Sequence, residues 1–562
     1  MAASKCQKIK LLIKTPKMKK KLLFALSAAL LSTSLMAGGI MTNTNHSAAY
    51  ARLLARNASL GIDAVYYNPA GLTKLGNGFH LSLNNQSIFQ TKDVINSYPY
   101  LHGSPDAKYT GIVKAPVFPG VFAVYKMDKL AFSFGFNPVG GGGGAKYDTG
   151  LPSFEMGISD LVPSLAAKAG VTDYQAAINF EGTSVYFGYQ FGVSYEINPS
   201  LSVFAGMRAV TAKNTYKGTI TDIMINPSIA GTPYAGAFMR ADLFGTQQAT
   251  YYTGVAAQYN GAAAAAGSLA TAGLGAFTLA QAQAAGAITA TQQAQLEGAL
   301  LAAGQSASTP IAQAQLVYTA VSGQATAGAA QMTGLAAKTA DAEVDATQTG
   351  SGYTPIFGAN LTIAEKLTIA LKYEMITKIE LTNDTKVDGT GAFTNGAKSR
   401  NDMPAMLSIG ASYPVTKKLN ASLGFNYYFD KSADYGKKDS IGSPIENKTI
   451  IDKNFFEIAL GLEYNVNDKF LVSAGALRAQ TGVSKTYQSD LSYSLTSNTV
   501  AFGGQYKISP AIGVNVGALY TMYDKGDKTF SHKLGTSYIP VVEDYSKTTW
   551  LVAVGLDIKI GK

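Results

Sequence analysis

The chain has 562 residues, of which 47% are hydrophobic and only 15% are charged, with a formal net charge of +10. Eight lysines and no acids precede residue 38, so the net charge of the rest is close to +2, which excludes a strongly basic nucleic-acid-binding protein. Past residue 40 no apolar run approaches the ~20 residues that a membrane helix needs, which excludes helical spans there.

The N-terminal segment has the pattern of a signal peptide. A lysine-rich start is followed by an apolar run at 22–35 and by small residues at 37–39, so we expect a leader over residues 1–37, with Met18 as an alternative start. Cys6, the only cysteine, precedes the apolar run and cannot serve as a lipoprotein cysteine. The chain after the leader therefore has no disulfide or thiolate metal site.

Strand-like segments with period-2 alternation fill most of the chain after residue 77. The segments come in pairs. Within a pair, a very short polar turn joins the two segments, whereas a long polar or glycine-rich stretch joins one pair to the next. Short turns on one rim and long loops on the other are typical of an outer-membrane barrel. A soluble all-β protein is the alternative. We predict fourteen strands, at residues 78–90, 117–126, 130–137, 183–196, 201–217, 352–364, 367–382, 402–415, 418–430, 454–466, 469–482, 496–508, 511–523 and 548–560.

The predicted fold is thus all-β membrane: a 14-stranded antiparallel transmembrane β-barrel (residues 78–562) with a plugging hatch at 38–77 and a long, partly helical outer loop at about 218–351. Within this loop only Glu297 is charged between positions 249 and 337. We expect one helix over 291–303, stopped by Gly304, and another with Thr309 as N-cap, Pro310 at its first position and its end at Gly323. A partly disordered, low-complexity loop is the alternative.

Residues 46–59 and 63–72, which include an Asn-Pro-Ala-Gly sequence, form one recognisable pattern, and residues 134–144, with five consecutive glycines, form a second. Both resemble the FadL/OmpP1/TodX family of outer-membrane long-chain fatty acid and hydrocarbon transporters, most closely its Bacteroidetes members. The resemblance implies an N-terminal hatch, fourteen strands and an inward kink in the third strand. The terminal aromatic residue usual in the family is absent, because Ile560 is followed by Gly561 and Lys562, and the third outer loop is longer than a helical hairpin.

Two sets of hatch residues are candidates for function. The first is the turn formed by Asn68, Pro69, Ala70 and Gly71, to which the family match assigns a gating role; an ordinary loop turn is the alternative. The second is the pair Arg52 and Arg56, which share one face if the segment is helical and could bind a carboxylate head group. Salt bridges between the plug and inward-facing acids of the wall are the alternative.

The third candidate is a kink in the third strand. Proline cannot donate to a strand ladder and a glycine run pairs weakly, so the strand should bend or break there and open the wall sideways to lipid. A flexible loop stem is the alternative. A phosphate-binding loop is excluded because Lys146 is followed by Tyr147. The residues of this candidate are Asn137, Pro138, Gly140, Gly141, Gly142, Gly143 and Gly144.

Nothing in the sequence indicates an enzyme, a cofactor or a metal site, since the four histidines are scattered and no G-x-S-x-G sequence occurs. We expect passive outer-membrane transport of long-chain fatty acids or related hydrophobic molecules, with capture by outer loops, binding above the hatch and lateral exit. A general diffusion porin and an adhesin that uses the 218–351 insert are the alternatives. The expected partners are hydrophobic small molecules, outer-membrane lipid and lipopolysaccharide, and the barrel-assembly machinery, with no nucleic acid; the expected state is a monomer.

Overall fold

The computed structural model describes residues 40–437 and 443–561. The predicted leader lies outside the described residues, and so does Lys562. Fourteen antiparallel strands form the barrel: β1 Gly78–Asn96, β2 Ala107–Met127, β3 Leu130–Tyr147, β4 Tyr174–Asn198, β5 Leu201–Ile225, β6 Ala342–Ile363, β7 Leu367–Glu374 with Glu380–Asp388, β8 Lys398–Arg400 with Met406–Pro414, β9 Leu419–Tyr428, β10 Phe455–Asn465, β11 Phe470–Gln480, β12 Ser497–Ser509, β13 Ile512–Tyr523 with Gly526–Leu534, and β14 Ser537–Ile560.

The sheet closes on itself. β1 pairs with β14 along its length, from Phe79 opposite Ile560 to Asn96 opposite Glu543, and each other strand pairs with its neighbours in chain order. The fold prediction, a closed fourteen-stranded antiparallel barrel, is confirmed. A separate soluble sandwich is excluded, because its sheets would have free edges.

Alternation along the strands explains the wall. In β14, Leu551 and Ala553 are buried inside the barrel, whereas Trp550, Val552 and Val554 are about half exposed on its outer surface. Because successive side chains point to opposite faces of a strand, an apolar set every second residue gives an apolar exterior. That exterior is the one expected of a wall in contact with lipid.

β1 to β8, β13 and β14 extend further than predicted at the long-loop rim, whereas β9 to β12 end there within two residues of the prediction. At the short-turn rim all strand ends lie within two residues of the prediction. β4 and β5 each span 25 residues, and β3 continues to Tyr147 although residues 138–182 were expected to be a loop. In the outer part of β4 the apolar residues face inwards, with Tyr174, Ile178 and Phe180 buried, whereas the outward positions carry Gln175, Asn179 and Glu181. Backbone pairing thus extends past the lipid-facing band, with the apolar side chains on the inner face and polar ones outside.

Helices occupy the hatch and the long connections. Residues 40–77, called the hatch below, contain α1 (Ala48–Arg52), α2 (Ala64–Tyr67) and a 3-10 helix (Pro69–Lys74). Between β3 and β4 lie α3 (Pro152–Ser159) and α4 (Leu161–Ala169). Among the described residues, no helix combines the length and the apolar character that a membrane span requires.

The insert between β5 and β6 is a helical layer with its own core. It contains α5 (Ala241–Leu269), α6 (Leu279–Ala284), α7 (Ala290–Ala302) and α8 (Ile311–Lys338), and a short helix α9 (Asn447–Ile450) lies further on. Tyr259, Leu300 and Tyr318 are buried among these helices.

The predicted positions of the insert helices are partly wrong. α7 is one residue from its predicted place, but α8 does not end at Gly323, because this glycine has open space around it and the helix packs along α5 up to Lys338. α5 was not predicted. The alternative of a partly disordered loop is wrong for this helical segment, since apolar contacts between the helices replace the charges that a solvated helix would need.

Candidate functional site

The hatch lies inside the barrel and is joined to the wall by its predicted turn. The Asn68 amide donates to Asn360 Oδ1 of β6 at 2.8 Å, while the carbonyls of Pro69 and Ala70 accept from Ser194 of β4 and Ser202 of β5, both at 2.7 Å. Gly71 follows in the 3-10 helix, and a Cβ there would lie 2.4 Å from the Asn68 amide nitrogen. The turn thus ties the hatch to three successive strands.

Glycines on the inner wall let the hatch rest directly on the strands. Six of them form three pairs, each pair directly opposite across two neighbouring strands, and a Cβ added at any of the six would lie 3.0 Å or less from a hatch atom. The glycines are visible in the sequence, but their pairing is not, because it depends on the register of the strands. The pairs are Gly410 with Gly424, Gly461 with Gly475, and Gly503 with Gly517.

The two candidate arginines are engaged in ion pairs. Arg52 Nη1 lies 2.5 Å from Glu463 Oε2 of β10, and its guanidinium also donates to Ser473 and Asn515. Arg56 binds both oxygens of Asp63 within the hatch, at 2.6 and 2.9 Å. Burial works against the charge of Arg56, but the Asp63 carboxylate more than offsets it and raises the Arg56 pKa above its ordinary value.

A third set of charges, not singled out in the sequence, lies between the hatch and β5–β7. Glu374 accepts from Arg208 at 2.6 and 3.0 Å and from Lys372 at 2.7 Å, and all three side chains are at least 95% buried. The Lys372 ammonium also donates to the Tyr66 carbonyl of the hatch. Lys372 and Glu374 are two residues apart in β7, so the sequence could have predicted that both point into the barrel. That Arg208 of β5 pairs with them is visible only in the folded structure.

The wall is interrupted at the predicted kink. β2 and β3 pair from Met127 opposite Leu130 up to Val121 opposite Phe136, and pairing resumes only at Val113 opposite Ala145. Residues 114–120 and 137–144 therefore form no ladder with each other. β3 bends there but does not break, since it stays paired with β4 through two register shifts.

The start of the hatch occupies the bent part of β3. The Asn43 backbone N–H donates to the Val139 carbonyl at 2.9 Å, and Thr42 forms an isolated bridge with Gly140. A Cβ on Gly140 would lie 2.3 Å from the Met41 carbonyl oxygen, and Gly141 has a φ of +91°, so both positions require glycine. The start of the hatch is thus paired to the bent part of β3.

The remaining kink residues follow the same bend. Asn137 is buried, and its amide nitrogen has no partner among the described residues. Pro138 lies opposite Phe187, and the last glycines of the run return to regular pairing with β4, Gly143 opposite Ser184 and Gly144 opposite Thr183. Gly142 lies in the skipped stretch between Gly140 and Gly143.

The other edge of the interruption was missed in the sequence. β2 carries Pro116 and Pro119 there, neither of which has an N–H to donate, and the side chain of Phe118 is buried between them. Two prolines three residues apart could have predicted a break in the pairing of β2. Only the strand pairing shows that this break faces the glycine run of β3.

These candidates lie on different parts of the wall. The interruption is between β2 and β3, the Asn68 turn contacts β4 to β6, and Arg52 contacts β10, β11 and β13. Below the hatch, on the short-turn side, lies a polar cavity of about 580 Å³ lined by Arg52, Arg56 and Asp63 among others. In the described part of the chain, no three histidine, cysteine or acidic side chains lie close enough together to hold a metal.

No family model and no curated protein matches the sequence. Solved structures do match the fold. The crystal structure of a Pseudomonas aeruginosa FadL homologue is 12% identical, covers 93% of this chain and 100% of its own, and has a TM-score of 0.55. The P. putida toluene transporter TodX (13% identity, 89% and 95% coverage, TM-score 0.48) and the Ralstonia pickettii toluene transporter TbuX (14%, 89% and 94%, 0.44) also align. The first match shows a shared barrel fold.

Proposed function

We propose that the protein is a passive outer-membrane transporter of long-chain fatty acids or related hydrophobic molecules, which leave the lumen sideways between β2 and β3. The observation that carries the proposal is the interrupted pairing of these strands. A stretch of wall without a ladder leaves polar backbone at membrane depth, which is tolerated where it lines a cavity. An apolar ligand that leaves there enters lipid and never crosses water.

The closed lumen supports a transporter over a general pore. A fourteen-stranded barrel is too wide for its own side chains to fill, and here the hatch fills it with direct contacts to the wall all the way round. The Asn68–Gly71 turn and the strand paired with residues 42–43 are the parts whose movement would open a path. A large, steady single-channel conductance of the purified protein would contradict the proposal and favour a diffusion porin.

The lateral route is tested by rebuilding the wall. Replacing residues 142–144 with Thr-Val-Thr, which leaves Gly140 and Gly141 in place against the hatch, should strengthen strand pairing and abolish uptake of a radiolabelled long-chain fatty acid by cells that lack other transporters. A matched control places alanine at five insert glycines with open space around them: Gly254, Gly261, Gly298, Gly323 and Gly334. Unchanged uptake by a correctly folded wall variant would argue against this exit.

The cellular setting belongs to the same proposal. The N-terminal leader pattern and the apolar exterior of the barrel support insertion into the outer membrane, among lipid and lipopolysaccharide and with the help of the barrel-assembly machinery. The hatch closes the lumen within one chain, which supports a monomer as the working unit. Native mass spectrometry of the protein in detergent tests this last point.

The helical insert favours one second candidate, adhesion. α5 and α8 are 29 and 28 residues long, each about 42 Å at 1.5 Å per residue, and form an almost uncharged outer layer. Gly245 lies against Ala336 and Gly328 against Tyr252, so the chain can be shortened at this base. Deletion of residues 250–335 separates the two functions: lost cell attachment with intact uptake would support adhesion, and lost uptake would support ligand capture by the insert.

A further inference from the structure

Two lysines face each other on the inner wall near the long-loop rim. Lys92 of β1 lies directly opposite Lys547 of β14, and their side chains are 0% and 7% exposed. Among residues 40–437 and 443–561, the Lys92 ammonium has no hydrogen-bond partner. Burying an ammonium without a partner is expensive, so such a group is a candidate for a ligand that the structure does not contain.

The segment 481–496, called the inner loop below, covers this lysine pair. The Tyr493 carbonyl accepts from Lys547 Nζ at 2.6 Å, and the Tyr493 ring faces both ammonium groups, 5.1 Å from Lys92 and 4.4 Å from Lys547. A carbonyl dipole and an aromatic face compensate a positive charge only partly. Two buried lysine side chains are thus covered by a neutral residue.

The acids nearby are engaged elsewhere. Asp490, on the inner loop, attracts Lys92 only through space, because its two oxygens accept the backbone N–H groups of Ser153 and Leu491. Glu543 accepts from Asn96 and from the Tyr545 hydroxyl. The lysine pair therefore has no carboxylate of its own within contact distance in the described part of the chain.

The lysine pair lies just above the interruption of the wall. Lys92 is opposite Gly111 of β2, two residues beyond Val113, where the pairing of β2 with β3 resumes. Two residues of a strand span about 7 Å. Tyr147 packs over Gly111, and its buried hydroxyl has no partner among the described residues. A head group at Lys92 would place a hydrophobic tail at the gap between β2 and β3.

We propose that Lys92, Lys547 and Tyr147 bind the carboxylate of an amphiphilic ligand, and that this carboxylate displaces the inner loop by replacing the Tyr493 carbonyl on the lysine pair. A carboxylate satisfies both ammonium groups with charge-assisted hydrogen bonds, which a carbonyl and a ring do not. The ligand charge then opens the outer part of the lumen. This inference rests on the proposed function and names the ligand's head group and the segment that moves.

The experiment compares two ligands that differ only in charge, laurate and 1-dodecanol. The full chain with Cys6→Ser and Thr486→Cys carries an environment-sensitive dye on the exposed part of the inner loop, in nanodiscs of uncharged phosphatidylcholine. We expect laurate to bind at least tenfold more tightly than dodecanol and to shift the dye emission, which dodecanol does not do.

Substitutions in the lysine pair identify the site. Lys92→Met should reduce laurate affinity about tenfold, abolish the dye shift and leave dodecanol affinity unchanged, and Lys92→Arg should restore both laurate effects. The exposed Lys533→Met is the matched control and should change neither. Because Lys92→Met removes only the contact with the Tyr493 ring and no hydrogen bond, it should lower the melting temperature little, which separates a ligand-binding lysine from a structural one.

Three outcomes are distinguishable. Equal binding of laurate and dodecanol, with Lys92→Met without effect, overturns the carboxylate site while the transport proposal stands. Tighter laurate binding without a dye shift overturns displacement of the inner loop. Binding of neither probe overturns the proposed function itself.

Discussion

The hatch half and the outer half of the lumen treat buried charge differently. Next to the hatch, Glu374 accepts from both Arg208 and Lys372, and Arg52 is paired with Glu463. In the outer half, Lys92 has no polar partner among the described residues, and Lys547 is met by a carbonyl. One half uses charge to hold the chain in place, whereas the other keeps charge available.

The difference teaches where movement should begin. A buried ion pair that loses one partner leaves an uncompensated charge, so the hatch contacts resist separation. A buried cation covered by a neutral group gains when an anion takes that place. The outer half should therefore respond to a ligand first, and the hatch half should follow only after its ties are broken.

The strongest test of this contrast is a side chain placed under the hatch. Gly517→Val puts a Cβ 2.6 Å from the Arg52 backbone nitrogen, and backbone cannot move aside as a flexible side chain can. We expect the hatch to be displaced and a steady single-channel conductance to appear.

Gly513→Val in the same strand is the matched control, since the nearest atoms to its Cβ belong to the Gln505 side chain, at 3.4 Å. A closed Gly517→Val channel with the melting temperature of the parent would show that the hatch does not rest on this strand.

The next largest effect is expected from the paired cluster. Glu374→Gln leaves Arg208 and Lys372 without a counter-charge and should cost about 3–5 kcal/mol of unfolding free energy, measured by denaturant titration. Glu380→Gln removes only the exposed partner of Lys398, and water screens this pair, so the unfolding free energy should change far less. Equal effects of the two substitutions would end the distinction between the paired cluster and surface charge.

A third test uses an outer acid that has no cationic partner among residues 40–437 and 443–561. Asp430, just beyond the end of β9, accepts from the Tyr435 hydroxyl and the Phe455 N–H, and burial raises its pKa to about 6. The folded state then holds the proton more tightly than the unfolded state, so stability is greatest below pH 4 and falls by about 3 kcal/mol as the pH rises through 6.

Asp430→Asn should flatten this part of the profile of melting temperature against pH. A profile that rises between pH 4 and 6 in the parent and is unchanged in the variant would contradict the assignment, because it would require a carboxyl group with a lowered pKa elsewhere.

The smallest effect is expected in the insert, which belongs to neither half of the lumen. Thr289 caps α7 in a capping box with Gln292, so Thr289→Ala should cost about 1 kcal/mol locally, seen as faster amide hydrogen exchange in α7. Thr250→Ala, whose hydroxyl bonds back to the Thr246 carbonyl on a helix surface, serves as the control. Faster exchange in β5 or β6 would show that insert and barrel unfold together.

Sequence patterns predicted the strands well where the cause is local. The short turns at Asp128 and at Asn198 lie where expected, because turn chemistry and apolar alternation end together there. The outer ends of several strands, such as those at Thr219 and Gln348, could not be predicted, because polar residues there belong to a ladder that only the partner strand defines.

The candidate site was predictable only on one side. Pro138 and the glycine run predict a bend in β3. The prolines of β2 indicate a gap in the wall only when β2 and β3 are known to be neighbours in this register. Arg52 and Glu463 are 411 residues apart, and Lys92 faces Lys547 across the closing seam of the barrel. No local pattern reports such partners, because register over that distance is set by the closure of the whole sheet.

The seam between β1 and β14 also fixes the order in which the molecule can be finished. The hatch is made before the first strand, yet Arg52 takes its partners from β10, β11 and β13. Contacts of such long sequence separation form late, because the chain between them must first be ordered. Until β14 arrives, the first strand is paired only with β2 and the hatch lacks its partners on the late strands, so the step that closes the cylinder also seals it.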